Sequence, residues 1–452
     1  MRGYLEIPDD KTLAAYDQLD FTALRKSLFS EIIDQGFPGS KLEDFSLVPR
    51  VLPGSYMTVI EEACQRLTEV ILRLVVKDQD FLLAHLSCDS RWDKLINKYG
   101  VLENVPRRLI GELRYDFAVS GPLTEDNPPR LMEVNAGALG VLVYADFIPK
   151  LLKKLVPGLD HLSLLDLGAE FVNLCRRVGP EIINFSVSEY SWGEDVLEDA
   201  IHGKFNFHLV NPNDMPEFES WPKLKKASWR FNSGNRMCLQ LGDEWREMDG
   251  FRWGRILEEG DINKFGDLIK EVVDSNTVFL SHPRTDFVCH KGVLPLLSSD
   301  KFLSEELNVP DPTAVSRYVL PSWNLKDIGF PPAGKREQLV LKQNFGCSGS
   351  KVFIGDAMNE VRGRVNKPQE WIVQQRIDLN QMYTRMLYCQ DRPLRMDLAV
   401  FVYFDYVDGK LEYCKVAGLV SRGAGGFRVN LNLGGAGIPV LINHQNGGPP
   451  VE

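Results

Sequence analysis

The stretch RLMEVNAGALG, Arg130–Gly140, decides how this chain is read, together with RYDF at Arg114–Phe117. Both alternate polar and apolar residues, the period of a strand in which residues i and i+2 share a face. Arg114 and Asp116 therefore lie on one side of a first strand, and Glu133 and Asn135 on one side of a second. If the strands pair across the polar, Pro-rich turn GPLTEDNPPR, the four side chains converge on one patch. Two carboxylates and a carboxamide oxygen are hard donors suited to Mg2+, and a neighbouring arginine suits a phosphate or an oxyanion. The solvated outer face of a hairpin alternates in the same way, so on their own these residues leave a metal-phosphate site and a plain surface both open.

Two lysines further along shift the balance. CHKGVLPLL puts Lys291 at the start of an apolar helix, and LVLKQNFGCSGSKVFIG puts Lys342 at the end of an apolar strand. The loop that follows Lys342 contains Gly346, Ser348 and Gly349. A lysine beside a glycine loop can meet phosphates as a point charge while backbone N–H groups close over them, an arrangement that binds nucleotides. The loop is not a Walker A sequence, and neither RGAGGFR nor LGGAG supplies a dinucleotide-binding fingerprint. Cys347 has no Cys-His arrangement to make it a nucleophile and reads as a loop residue.

In this order the features resemble the ATP-grasp superfamily in its circularly permuted form, which includes the eukaryotic-type glutathione synthetases and the glutathionylspermidine synthetases. The R-x-D-[FY] and E-x-N strands come first and the two lysines afterwards. VFLSHPRTDFVCHKGVLPLL is similar to the strand, loop and lysine helix before the lid, EWIVQQRID to the adenine-side linker, and GLVSRGAGGFRVNLNLGGAG to the closing strand and glycine-rich segment. The resemblance covers roughly residues 110–437. Two departures stand out: the interval from Asp116 to Glu133 is long, and His290 stands where permuted members tend to have asparagine. A neutral histidine packed at a helix start is the expectation there.

The resemblance implies an ATP- and Mg2+-dependent ligase that joins a carboxylate to an amine through an acylphosphate. Asp116, Glu133 and Asn135 would be the metal ligands. Lys291, Lys342, Gly346, Ser348, Gly349, Gln374 and Gln375 would hold the nucleotide, and Arg114 and Arg422 would act on the transferred phosphoryl group or substrate. A non-catalytic nucleotide-binding scaffold and a phosphotransferase on the same fold are the alternatives. The implied substrates are small-molecule carboxylates and amines, amino acids or small peptides, in small-peptide or specialised metabolism.

Composition agrees with that class. With 52 Lys and Arg against 62 Asp and Glu, the 452-residue chain carries a formal charge of −10, which argues against a nucleic-acid binder. Eight cysteines without a C-x-x-C pair suggest neither a zinc knuckle nor a disulfide framework, and a reducing cytoplasm fits them. The acidic start and the lack of a long apolar run predict neither a signal peptide nor a membrane span.

The expected architecture is α+β: a circularly permuted ATP-grasp fold with a βαβ-type substrate domain and a helical N-terminal region. Residues 1–110 read as helical, with a dimer face or a substrate wall as possible roles, and Thr58 with Glu61 makes a capping box before an apolar helical run. Residues 111–179 would carry the metal-binding strands, 180–314 a βαβ-type domain, 315–378 the lid, 379–437 the rest of the core and 438–452 a flexible tail. Strand–helix alternation from Pro180 includes a helix near EDVLEDAI and suggests a parallel sheet. The block from Gln338 to Asp378 reads as antiparallel, and an Asp-Gly hairpin is expected at Val407–Lys410.

Overall fold

A computed structural model describes residues 4–34, 44–86, 93–137, 142–185, 206–210, 228–253, 259–345, 351–387, 392–425 and 435–444. The expected helix at EDVLEDAI and the loop with Gly346, Cys347, Ser348 and Gly349 lie outside the described residues. No helix among those described is long and apolar enough to cross a membrane.

An eleven-stranded mixed sheet organises the chain. With strands numbered in chain order, its path runs β1 (Arg50–Pro53), β18 (Ala436–Asn443), β17 (Lys410–Ala424), β16 (Arg392–Val407), β2 (Arg108–Ala118), β10 (Val278–Leu280), β9 (Gly250–Trp253), β4 (Glu181–Phe185) and β5 (Asn206–Val210). Off this path, β3 (Arg130–Ala136) pairs with β2 and β15 (Gln381–Thr384) with β16. The β10, β9, β4 and β5 side is parallel, as the alternation predicts. The β3–β2–β16–β17–β18 side is antiparallel. The sheet thus takes strands from both sides of the division read at 179/180, and none from residues 315–378.

β16 shows why both faces must be covered. Leu398, Val400, Val402 and Phe404 enter one apolar core, while Ala399, Phe401 and Tyr403 between them enter the other. The first core is covered by α3 (Gly54–Val75), the second by α2 (Phe21–Asp34) and the helices Phe147–Leu155 and Leu167–Val178. A strand buried on both faces reads as a continuous apolar run, and MDLAVFVYF is one. The β16–β17 hairpin turns at Asp408 (φ 47°) and Gly409 (φ 85°), the left-handed pair that Asp-Gly supplies.

Three expectations change. The helix predicted to start at the Thr58–Glu61 capping box begins one turn earlier, at Gly54, directly from β1; a Cβ at Gly54 would meet His444 Nδ1 at 2.8 Å, so glycine leaves room for His444, just past the end of β18, against the helix start. Residues 438–443, read as the beginning of a tail, belong to β18, every residue of which is buried between β1 and β17; residues 445–452 lie outside the described residues. A three-stranded antiparallel sheet, β6 (Trp229–Phe231), β7 (Met237–Leu241) and β8 (Glu244–Glu247), interrupts the βαβ pattern.

The antiparallel block expected between Gln338 and Asp378 is a separate four-stranded sheet in the order β11 (Ser322–Asn324), β14 (Trp371–Gln375), β12 (Leu339–Gln343), β13 (Val352–Ile354). Its own small core of Leu325, Leu341, Met358, Val361 and Val373 makes it a distinct layer. The segment leading into it meets the main sheet where Leu131 N donates to Tyr318 O and Leu320 N donates to Leu131 O.

Candidate functional site

β2 and β3 pair antiparallel with Arg114 opposite Asn135 and Asp116 opposite Glu133. The long turn between them does not disturb this register. Leu113, Tyr115 and Phe117 point into the α3 core, which leaves Arg114 and Asp116 on the other face. That face continues onto β16 and β17, where Ala399 and Val420 lie in the second core. Asp397 and Arg422, two residues along from these, reach the end of the same face.

The groups are tightly bound to one another. Arg114 donates to both oxygens of Asp116, from Nε to Oδ1 at 2.8 Å and from Nη2 to Oδ2 at 3.2 Å. Asn135 Nδ2 donates to Asp116 Oδ2 at 3.2 Å, and Arg422 Nη2 approaches the same oxygen at 2.9 Å. Arg422 also holds Asp397: its backbone N donates to Oδ1 at 2.9 Å, its Nε to Oδ2 at 3.0 Å, and Nη2 makes a short contact with Oδ2. Asp116, expected as a metal ligand, thus has both oxygens held by guanidinium groups. Burial would raise its pKa, but Arg114 and Arg422 hold it below the usual carboxylate range. Asp397 goes the other way, raised by burial and by the nearby Asp116, with Arg422 offsetting only part.

A bulge between Asp116 and Phe117 in the β2–β3 register leaves Met132 as the extra residue of β3. Its carbonyl accepts a hydrogen bond from Lys342 Nζ at 3.2 Å. Lys342 also donates to Gln374 Oε1 at 2.6 Å, and Gln374 Nε2 donates to Ser322 Oγ at 3.1 Å. Burial pulls the Lys342 ammonium down to about 8; Glu133 opposes this and Lys291 adds to it. Lys291 Nζ lies 3.1 Å from Glu133 Oε1, and its backbone N donates to Asn344 O at 3.0 Å. His290 is buried, as expected for a packed histidine: Nδ1 accepts from Gly292 N at 2.9 Å, and its ring meets Phe345 edge-on.

The structure therefore brings together Arg114, Asp116, Glu133, Asn135, Lys291, Lys342, Gln374 and Arg422. Gln375 is exposed on β14 and faces away from this group. Asp397 and Ser322 were not singled out in the sequence. An aspartate inside an apolar run is a signal for the first, since a buried carboxylate needs a cationic partner; a lone serine gives none.

Four cations, Arg114, Arg422, Lys291 and Lys342, face three carboxylates, Asp116, Glu133 and Asp397. Such a patch suits a polyanion. Among the described residues no group of three or more His, Cys, Asp and Glu side chains could hold a metal ion. Mg2+ needs no such cage: it is commonly held by one or two carboxylates together with substrate phosphates, and Glu133 beside Asn135 fits that donor chemistry.

No family model matches the sequence, and no curated protein matches it. Among solved structures, the chain is similar to a glutathione synthetase-like effector from Globodera pallida in its apo form. The TM-score is 0.65 at 13% identity, covering 94% of this chain and 98% of that one. At that identity the likeness shows a shared fold.

Proposed function

We propose that this chain is an ATP-grasp ligase that joins a carboxylate to an amine, with ATP driving the reaction through an acylphosphate. The observation that carries this reading is the meeting of the β2–β3 pair, Arg422, Lys291 and Lys342 at one end of one sheet face. The glutathione synthetase-like fold supports it in general terms.

In this reading Lys291 and Lys342 attract the phosphates as point charges, and the loop with Gly346, Ser348 and Gly349 covers them. Mg2+ held by Glu133 and Asn135 would neutralise the phosphate charge that repels an incoming carboxylate. Asp116 serves chiefly to fix Arg114 and Arg422. Those guanidiniums face the oxygens of the transferred phosphoryl group and then the oxyanion formed when the amine attacks. A fixed cation needs no reorganisation at that moment, which is what two buried carboxylates around Arg422 provide. Gln374 keeps Lys342 oriented on the adenine side. The substrates are then a small carboxylic acid and an amine, amino acid or small peptide, handled in the cytoplasm.

The test is phosphate release by purified protein with Mg-ATP across amino acids, polyamines and small peptides, with mass spectrometry of the product. The expected product weighs the sum of acid and amine less one water, with one ADP and one phosphate per amide. Transfer of phosphate to a stable acceptor would favour the phosphotransferase. ATP binding with no turnover on any pair would favour the non-catalytic scaffold.

A further inference from the structure

Ahead of α1 (Asp10–Asp17), the chain lies extended along β15: Glu6 N donates to Gln381 O and Gln381 N donates to Tyr4 O, both at 2.7 Å. Tyr4, Leu5 and Ile7 are exposed, whereas Glu6 is buried. Its carboxylate receives Arg50 Nε at 2.7 Å, Arg50 Nη2 at 2.5 Å and Asn380 Nδ2 at 2.6 Å. Arg50, on β1, is completely buried. Its remaining terminal nitrogen, Nη1, donates to the backbone oxygen of Asp397 at 3.1 Å and to Ser421 Oγ at 2.9 Å.

The ends of this network matter. Asp397 is the carboxylate that grips Arg422, and Ser421 is the residue immediately before Arg422. Arg50 therefore joins β16 to β17 at the two backbone positions that set where the Arg422 guanidinium sits. A buried arginine is weak evidence for stability, because an apolar side chain of similar volume often serves as well. A fork that holds a carbonyl and a hydroxyl on two adjacent strands has a geometric role that an apolar side chain cannot fill.

We propose that Glu6, acting through Arg50, is a positioning residue for Arg422, so that the segment before the first helix forms part of the candidate site's support. Its kinetic consequence rests on the ligase reading. Its geometric consequence does not.

The experiment uses the full chain with Glu6→Gln, Glu6→Asp and Ser421→Ala. Glu6→Gln removes the charge but keeps an acceptor, and Ser421→Ala cuts the tie from Arg50 to β17 without touching Glu6. The first readout is the arginine Nε–Hε correlation spectrum of deuterated protein, with the Arg422 signal assigned by its loss in Arg422→Lys. That group donates directly to Asp397, so its signal should shift or broaden in Glu6→Gln and in Ser421→Ala. The second readout is Mg-ATP-dependent phosphate release. The expected kcat loss is about ten- to a hundredfold with KM for ATP changed less than about twofold, and partial recovery in Glu6→Asp.

An unmoved Arg422 signal together with unchanged kcat in a folded variant overturns the proposal. If Glu6→Gln does not fold, the milder Ser421→Ala decides by the same criteria. A wild-type protein that releases no phosphate overturns the ligase reading alone, and the Arg422 signal then decides the positioning role by itself.

Discussion

Asp116 Oδ2 and Arg422 Nη2 lie 2.9 Å apart across the sheet, and Asp397 holds the same guanidinium from the neighbouring strand. One cation, its side chain 12% exposed, thus keeps two buried carboxylates together. Replacing Arg422 with methionine should destabilise the protein at pH 7 by about 3–5 kcal/mol, because both carboxylates lose their shared partner. The loss should shrink on acidification, since a proton on one carboxylate removes the repulsion. In the wild type the sign is opposite for Asp116: its depressed pKa gives stability present at neutral pH and lost as pH falls through the folded value. Urea denaturation of both proteins at pH 7 and near pH 4.5 checks this; a difference that grows with acid would contradict it.

A second buried pair tests the sheet itself. Arg252 Nη2 on β9 donates to Glu112 Oε1 on β2 at 2.7 Å, and Arg252 Nη1 donates to Asn184 Oδ1 on β4 at 3.2 Å. These bonds span strands on both sides of β10. Arg252→Met should cost about 3–5 kcal/mol by taking the guanidinium away from the buried Glu112 carboxylate, whereas the double variant Arg252→Met with Glu112→Gln should recover most of it. Equal losses in single and double variants, measured by urea denaturation, would show that the pair is not coupled.

The legible and illegible parts of the chain differ for physical reasons. Arg114, Asp116, Glu133 and Asn135 could be placed on one patch because the strand period fixes their faces and the two strands are close in sequence. Lys291 and Lys342 stood out as charges at the ends of apolar elements. Asp397 carries a weaker signal, a carboxylate within an apolar run, and that signal does not name its partner, because Arg422 comes from the adjacent strand. The Glu6–Arg50 bond joins the segment before the first helix to an early strand, and no local period reports such a contact. β18 was obscured by its setting: AGIPVLIN follows a glycine-rich run and precedes a polar one, and its burial depends on β1, hundreds of residues earlier.

Glu133 separates metal-assisted from bare phosphate binding. Its carboxylate sits 3.1 Å from Lys291 Nζ, so Glu133→Gln removes one negative charge from beside that lysine. Affinity for ATP without Mg2+ should therefore rise, while affinity for Mg-ATP should fall at least about tenfold. Titration calorimetry with and without EDTA measures both. Movement of the two affinities in the same direction would remove Glu133 from the metal-binding role, and phosphate release by the variant at wild-type Mg2+ dependence would do so independently.

Lys342 gives a pH signature. Its pKa is about 8 in the folded protein against about 10.4 in an unfolded chain. Between those values the unfolded chain binds a proton that the folded chain lacks, so this lysine's contribution to stability improves as pH rises through the window. Below pH 8 both states are charged and the cost of the buried ammonium is fully present. A triphosphate placed beside Lys342 would favour the ammonium and raise its pKa again. Nucleotide binding at about pH 9 should then take up close to one proton, and at pH 7 almost none. Calorimetry in buffers of different ionisation heat reads this uptake directly, and Lys342→Met should abolish it. Binding that is independent of buffer at pH 9 in the wild type would mean that the phosphates do not meet Lys342.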